Sequence, residues 1–311
     1  MKNKITLATF NIFNSYDAIK SRQLTGNNID LLFTQENSEG VDLDGTNFTK
    51  PDRTLKNNSN NSQNKTVQVY CSNKISSNIT PYNNLEIKHI QTITNIKGAV
   101  PRDAIIVKFK DLKIGNIHLE GGRIVDTELK NNFNALLEYK LRLLKEVITN
   151  DVDIVLGDFN SVYTSNKEVI NDITPDISKY NLDLQQSLIG QYKYYNSNNL
   201  KCVKKKSNSN TNTNINNLLV NKWNLEPYKY LIDNGYKSLE LDVQPSNHPK
   251  ITNARGNSII DTIWYKPNKV KPIGKGKIIS QFEKVSDWNN NKNYSIYSDH
   301  NPVIGTFKIL P

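Results

Sequence analysis

Short apolar runs separated by polar segments recur along most of the chain, and this pattern predicts a protein rich in β-strands. The alternation over residues 5–12 predicts one strand, and the apolar run at Ile29–Thr34 predicts a second. Similar patterns predict further strands at Thr66–Ser72, Leu85–Ile96, Ala104–Phe109, Lys113–His118, 151–157, Ser258–Tyr265 and 301–309. Because the strands between residues 66 and 118 follow one another without long helices, we expect them to pair antiparallel.

One long segment, Leu129–Ile148, has the periodicity of an amphipathic helix. Its apolar face consists of Phe133, Leu136, Leu137, Leu141, Leu144 and Val147. The lysines and glutamates of the segment are predicted to lie on the opposite, solvent-facing side. Shorter helices are predicted at residues 16–26 and at Trp223–Ile232, with Gly26 and Gly235 as their stop signals.

The strand at residues 151–157 is followed directly by two polar residues that could form a site. Ile154, Val155 and Leu156 form a run too short for a helix, and Asp158 and Asn160 follow it. Residues two apart in an extended chain point the same way, so both side chains could face a pocket at the carboxyl end of the sheet. The same residue types also form Asx turns at strand exits. The run alone leaves both interpretations open.

Other predicted strands also place polar side chains at their ends. Asn11 lies at the end of the first strand, and Glu36 lies at the exit of the second. His118 closes a later strand, where a histidine can be structural or catalytic. Asp261 stands among apolar residues, and a buried carboxylate requires a cationic partner. We expect His300 to be that partner.

Length, charge and cysteine content narrow the class of protein. The 311 residues carry a formal net charge of +10, which suits a polyanionic partner or an anionic membrane surface. Two cysteines, Cys71 and Cys202, can form at most one bridge, and reduced thiols are the default. The N-terminus has no long apolar segment, and no apolar run approaches the roughly 18 residues of a membrane span. We therefore expect an intracellular protein, cytoplasmic or nuclear, without a signal peptide.

Two segments, near residues 37–64 and 192–218, are rich in asparagine and serine and have no clear periodicity. Such composition predicts polar, low-complexity insertions. The second contains Lys204–Lys206, which can be read as a solvated run, a nuclear signal or a phosphate-binding patch.

Seven short motifs follow one another from residue 9 to residue 302. They are Thr9–Ile12, Gln35–Glu36, Pro101–Asp103, Ile117–Leu119, Gly157–Asn160, Ile260–Asp261 and Ser298–Pro302. In residue type and in order, this series resembles the endonuclease/exonuclease/phosphatase superfamily, which has the DNase I-like fold. The resemblance implies two packed β-sheets flanked by helices, a four-layer α/β sandwich. It also implies that residues 1–311 form a single domain interrupted by the two polar insertions.

The resemblance implies a metal-dependent phosphodiesterase and assigns a role to each motif residue. The cofactor would be Mg²⁺, with Mn²⁺ as a substitute, and its ligands would be Glu36, Asn11 and Asp299. Asp158 would orient or deprotonate the attacking water. The groups that contact the phosphate or assist proton transfer would be Arg102, Asn160, His118 and His300 with its partner Asp261.

His118 narrows the branch of the superfamily that the chain resembles. Members with a second histidine here include DNase I, deadenylases, tyrosyl-DNA phosphodiesterases and sphingomyelinases, whereas exonuclease III-type enzymes resemble the chain less. DNase I pairs this histidine with a glutamate that Thr66–Tyr70 lacks. His118 therefore has either Glu120 or no carboxylate as its partner.

Three functions stay open at this point. The first is hydrolysis of nucleic acid, DNA rather than RNA, by a monomer that needs no obligate protein partner. The second keeps the fold and replaces the substrate with a phospholipid or inositol phosphate. The third is a non-enzymatic scaffold, which predicts decayed metal and base positions. The presence of Glu36, Asp158 and His300 argues against decay.

Overall fold

The structure of the chain is a computed structural model in which two β-sheets face each other. It describes residues 3–12, 24, 28–36, 48–49, 67–72, 86–91, 102–121, 133–161, 223, 225–242, 259–279, 298 and 300–311. The described strands, in chain order, are β1 (Lys4–Asn11), β2 (Leu31–Gln35), β3 (Phe48–Thr49), β4 (Gln68–Ser72), β5 (Glu86–Gln91), β6 (Asp103–Phe109), β7 (Leu112–His118), β8 (Ile154–Asp158), β9 (Lys237–Ser238), β10 (Asp261–Tyr265), β11 (Val270–Pro272), β12 (Lys277–Ile278) and β13 (Val303–Ile309). Helix α1 spans Phe133–Thr149, and residues 225–233 form helix α2.

Each sheet has one parallel pair of strands at its centre, and the remaining described pairs are antiparallel. The first sheet has the order β11-β13-β1-β2-β4-β3, with β12 beside β13, and its parallel pair is β1 with β2. The second sheet has the order β5-β6-β7-β8-β10-β9, and its parallel pair is β7 with β8. A parallel connection requires a crossover, and α1 provides it between β7 and β8.

The core lies between the sheets and follows the two-residue period of the strands. Ile5 and Leu7 of β1 belong to the large core cluster, whereas Ala8 and Phe10 belong to a smaller cluster on the other face of the first sheet. The sheets contact each other through β1, β2, β7, β8, β10 and β13. The arrangement confirms the predicted α/β sandwich of two packed sheets.

The structure confirms most of the predicted elements, with one error on the long helix. The strands predicted at residues 5–12 and 151–157 are β1 and β8, and the antiparallel series β5-β6-β7 is present as predicted. On α1, the prediction that every lysine faces solvent is wrong, because Lys140 is 1% exposed. The helix predicted at residues 16–26 lies outside the described residues, apart from Leu24. So do the two polar insertions, apart from Phe48–Thr49.

No helix within the described part of the chain is long and apolar enough to cross a membrane.

Gly157 of β8 is required by close approach of the neighbouring strand. Its φ is +140°, and a Cβ atom placed there would lie 2.0 Å from the carbonyl oxygen of Ile117 on β7. We predict that Gly157→Ala lowers the free energy of unfolding by about 4 kcal/mol or more, because the parallel pair β7–β8 must separate. Denaturant titration measures this change.

Gly274→Ala is the matched control for this prediction. Gly274 also has a positive φ, +76°, but no atom lies within 4 Å of a Cβ placed there. Its substitution should cost only the backbone strain, about 1–2 kcal/mol. Equal losses in the two variants would contradict the steric explanation.

Candidate active site

Polar residues from both sheets converge at one edge of the sandwich. The parallel strands β1 and β2 end in register at Asn11 and Gln35, and the parallel strands β7 and β8 end in register at His118 and Asp158. Asp261 begins the antiparallel strand β10 and lies opposite Asp158. Because the carboxyl ends of central strands meet at one edge, residues far apart in sequence become neighbours.

A buried layer of polar side chains separates this edge from the apolar core. Gln35 donates a hydrogen bond from Nε2 to Thr9 Oγ1 at 3.0 Å, and the same nitrogen lies 2.5 Å from Asn116 Oδ1. Asn116 Nδ2 in turn donates to the carbonyl of Thr34 at 3.0 Å. These bonds link β1 and β2 of the first sheet to β7 of the second, immediately before Glu36. The site therefore rests on a hydrogen-bonded layer with little freedom to shift.

His300 is held by a buried carboxylate, as predicted. Its Nδ1 lies 2.9 Å from Asp261 Oδ2, and its backbone amide donates to Ser298 Oγ at 3.0 Å. The Ser298 hydroxyl donates to the carbonyl of Asn11, which ties the loop before β13 to the end of β1. The Asp261 carboxylate selects the ring tautomer and leaves Nε2 directed at the site, 3.9 Å from Asp158 Oδ2.

Asp158 is the central carboxylate of the group. Its Oδ2 accepts a hydrogen bond from Asn11 Nδ2 at 3.0 Å, and His118 Nε2 lies 3.7 Å from the same oxygen. Its Oδ1 accepts the backbone amide of Asn160 at 2.8 Å. Burial, together with the nearby Asp261 carboxylate, raises the pKa of Asp158 to about 6. The site therefore favours a cation or a proton at this position.

Glu36 lies beside Asp158 at the more open side of the site. Asn11 Nδ2 donates to Glu36 Oε1 at 3.1 Å as well as to Asp158, so one amide group binds both carboxylates. Glu36 is 29% exposed at its side chain and has a φ of +54°. A non-glycine residue with a positive φ directly at a strand exit is a strained arrangement that clusters at functional sites.

His118 lies against a guanidinium instead of a dedicated carboxylate. Arg102 Nη1 is 3.2 Å from Nδ1 and 3.1 Å from Nε2 of the ring, and Arg102 Nε donates to Glu120 Oε2 at 3.2 Å. Burial lowers the pKa of His118 well below its usual value, and the positive charge of Arg102 adds to this effect. Glu120 is thus the partner of Arg102, and His118 enters the site as a neutral imidazole.

Asn160 adopts a turn and not the extended chain that the sequence interpretation assumed. Its φ is +45°, its amide N–H bonds to Asp158 Oδ1, and its Nδ2 donates to the carbonyl of Leu119 at 2.9 Å. The alternative interpretation, an Asx turn at the strand exit, therefore describes the backbone correctly. The same turn directs Asp158 Oδ2 into the site, so the two interpretations describe one structure.

The donor set at this edge fits a hard divalent cation. The ligand atoms of Asp158, Asp261 and His300 lie within 4.8 Å of one another, and Asn11 links Asp158 to Glu36. Asp261 is already bonded to His300, whereas Glu36 Oε1 and Asp158 Oδ2 both accept from the single amide nitrogen of Asn11. Oxygen donors of this kind suit Mg²⁺, which prefers oxygen ligands. A hard divalent cation is therefore better accommodated on the Glu36 side of the group than on the imidazole side.

The structure brings together nearly all of the predicted site residues. Those that lie within the described part of the chain and contact one another are Asn11, Glu36, Arg102, His118, Asp158, Asn160, Asp261 and His300. Asp299, a predicted metal ligand, lies outside the described residues. Glu120 and Lys140 complete the surroundings. Glu120 was one of the two options for the partner of His118. Lys140 occupies the apolar spacing of α1 between Leu137 and Leu144, a signal of burial that the prediction of solvent-facing lysines overlooked.

Comparison with solved structures identifies the fold. A 3′-5′ exonuclease from Neisseria meningitidis is similar over 97% of this chain and 98% of its own, with a TM-score of 0.50 and 13% sequence identity. The chain has the DNase I-like fold. At such identity the likeness concerns the fold and not the activity. It confirms the two-sheet architecture that the series of motifs implied.

Other similar structures have the same extent of coverage at lower scores. An AP endonuclease from Archaeoglobus fulgidus is similar over 97% of this chain and 98% of its own, with a TM-score of 0.47 and 14% identity. The human Nocturnin catalytic domain is similar over 100% of this chain and 96% of its own, with a TM-score of 0.45 and 13% identity. No protein-family model matches the sequence, and no curated protein is similar to it in sequence.

The unusual pKa of Asp158 leads to a test by titration. We predict that in metal-free protein this carboxyl titrates near pH 6 and that Asp261→Asn lowers its pKa, because the substitution removes a neighbouring negative charge. Carboxyl carbon NMR measures both values. Asp151 is the internal reference, since its hydrogen bond from Lys266 holds its pKa below the usual range. An unchanged pKa of Asp158 in the variant would contradict the proposed repulsion.

Proposed function

We propose that this chain is a Mg²⁺-dependent phosphodiesterase that hydrolyses nucleic-acid phosphodiester bonds, with DNA preferred over RNA. The observation that carries the proposal is the meeting of carboxylates, imidazoles and a guanidinium at one edge of a DNase I-like sandwich. The net charge of +10 supports a polyanionic substrate. The likeness to the Neisseria meningitidis exonuclease supports the fold on which such a site is built.

Phosphodiester hydrolysis requires that negative charge be neutralised and that a water molecule be oriented. Glu36 and Asn11 would hold the Mg²⁺ ion, with Asp299 as a further ligand, and the bound ion would supply charge neutralisation at the phosphate. Arg102, fixed by Glu120, would place a second positive charge beside the phosphate. Both charges favour the transition state, where negative charge on the phosphate oxygens is greatest.

Asp158 would orient and deprotonate the attacking water. Its Oδ1 is occupied by the Asn160 amide, which leaves Oδ2 as the oxygen that faces the site. A carboxylate with a pKa near 6 is a stronger base than an ordinary aspartate and is still ionised at neutral pH. Burial thus gives Asp158 a basicity that suits proton abstraction.

His300 would stabilise the pentacoordinate phosphorane or exchange a proton with it. Asp261 on Nδ1 fixes the ring and keeps Nε2 directed inward. His118, held neutral by burial and Arg102, would act as a hydrogen-bonding group and not as a charged acid. The two histidines would therefore have different roles.

The first test is nicking of supercoiled plasmid in the presence of Mg²⁺. We predict nicking that is abolished by EDTA and lowered by about 100-fold or more in Asp158→Asn, because the variant lacks the base. Agarose gel assay of relaxed circles measures the rate. Asp151→Asn is the matched control, since it removes an exposed carboxylate at the other end of the same strand segment and should leave the rate unchanged.

Wild-type protein that fails to nick would argue against a general DNA endonuclease. Assays on 5′-tyrosyl DNA, RNA, phospholipid and inositol phosphate substrates would then decide between the remaining phosphoesterases. Mg²⁺-dependent turnover of a lipid head group alone would replace the proposed nucleic-acid substrate.

A second prediction concerns the metal. Glu36→Ala should raise the Mg²⁺ concentration required for half-maximal activity by about ten-fold or more, since it removes a charged ligand. Titration of activity against Mg²⁺ measures the shift. Glu86→Ala, which removes an exposed carboxylate paired with Lys108, is the control and should leave the requirement unchanged. An unaltered Mg²⁺ requirement in Glu36→Ala would exclude this residue as a ligand.

A further inference from the structure

Lys140 of α1 is a buried lysine on the apolar face of a helix. It lies three residues after Leu137 and four before Leu144, so it occupies a position where the helix pattern calls for an apolar side chain. The whole residue is 1% exposed. Lysine is almost never fully buried unless something binds its amine. A buried lysine at an apolar position is a conflict between the helix pattern and the residue type. Such conflicts are expected where a structure supports a functional site.

The amine of Lys140 is directed at the exit loop of β8. Nζ donates to the carbonyl of Asn160 at 2.7 Å and lies 4.3 Å from the ring centroid of Trp223, which is itself buried. Burial lowers the pKa of Lys140 well below its usual value, while Glu120 and Asp158 oppose that shift and Arg102 adds to it. A neutral amine and an ammonium both donate to a carbonyl, so the contact to Asn160 persists in either form.

The residue that Lys140 holds controls the geometry of Asp158. Asn160 has a φ of +45°, a conformation that costs energy in a non-glycine residue and persists only when the surroundings enforce it. Its backbone amide binds Asp158 Oδ1, and its side chain binds the carbonyl of Leu119 after β7. A shift of the Asn160 peptide would therefore move Asp158 and loosen the link between the two loops.

A second contact holds the next residue of the same loop by different means. The Tyr228 hydroxyl of α2 donates to the carbonyl of Ser161, and the Tyr228 ring packs on Phe159 with centroids 5.4 Å apart. Lys140 and Tyr228 thus bind successive carbonyls from two helices. Of the two, Lys140 holds the residue that bonds directly to Asp158.

We propose that Lys140 is a positioning residue, which fixes the Asp158–Asn160 turn and thereby sets the orientation of the base. The inference rests on the proposed function, because it assigns Lys140 to the reaction through Asp158. It predicts that the loss of the amine impairs the chemical step while substrate binding and the fold are retained.

The test compares wild-type protein with Lys140→Met. Methionine has a similar length and helix propensity but lacks the donor. We expect kcat on the plasmid or a small phosphodiester to fall by about ten-fold or more, because small displacements of a catalytic group have large effects on rate, while KM is unchanged. Hydrogen exchange at the Asn160 amide should accelerate by about ten-fold or more, since the turn opens more often.

Leu144→Ala is the matched control on the same face of α1. Leu144 is fully buried one turn away, so its truncation should lower stability at least as much as Lys140→Met does. A purely structural role of Lys140 predicts that both variants lose stability and keep kcat at temperatures where they are folded. The positioning role predicts that only Lys140→Met loses kcat and Asn160 protection.

Lys140→Arg tests whether another donor restores the Asn160 contact and the activity. It is the deciding variant if Lys140→Met does not fold. Arginine keeps a donor for the Asn160 carbonyl, so we expect it to retain Asn160 protection and more activity than Lys140→Met. Wild-type kcat and Asn160 protection in a folded Lys140→Met protein would overturn the proposal, and so would loss of protection in a folded Lys140→Arg protein.

The exchange measurement separates this proposal from the proposed function. If wild-type protein hydrolyses none of the phosphodiester substrates, the function fails, and Asn160 protection in the two variants still shows whether Lys140 holds the turn. If wild-type protein is active and Lys140→Met is equally active, the function stands and the positioning role fails.

Discussion

Two buried carboxylates lie side by side at the end of this sandwich, and the structure around them is arranged to tolerate their charge. Asp158 and Asp261 are opposite each other on β8 and β10, and both are at most 1% exposed. Such a pair is unfavourable unless cations or donors surround it. Asn11 and the Asn160 amide bind one carboxylate, and His300 binds the other. A divalent cation at Glu36 would complete this compensation.

The backbone at the site is strained where these groups must be held. Gly157 permits β8 to approach β7, and the non-glycine residues Glu36 and Asn160 both have positive φ values within two residues of the ends of their strands. Strain of this kind is maintained by the surrounding contacts. Here the contacts come from the Gln35–Asn116 layer beneath Glu36 and from Lys140 beneath Asn160. The site is therefore supported from both sheets and from α1.

The symmetry of the two sheets explains why one edge carries the whole site. Among the described strands, each sheet has a single central parallel pair, β1–β2 or β7–β8, and both pairs end at the same edge. The antiparallel strands β10 and β13 begin there, which adds Asp261 and the His300 loop. In a mixed sheet, the ends of the parallel strands and the beginnings of their antiparallel neighbours lie at the same edge. Side chains from both therefore reach one site. A sheet with only antiparallel pairs would divide the same residues between two edges.

Period-two patterns and the order of the motifs determined the strands, the α/β class and the partnership of Asp261 with His300. The strands can be predicted from sequence because burial of one face imposes a two-residue period on a strand. The Asp261–His300 pair can be predicted because a buried charge requires an opposite charge nearby. Only the tertiary structure decided that Arg102 binds Glu120 and contacts His118, that Asn160 forms a turn, and that Lys140 points inward. Those contacts join residues that are 16 to 20 positions apart in the sequence. Such residues come together only because of how the loops and a helix pack over the sheets. Apart from the apolar spacing of α1 that includes Lys140, packing of that kind leaves no periodic trace in the sequence.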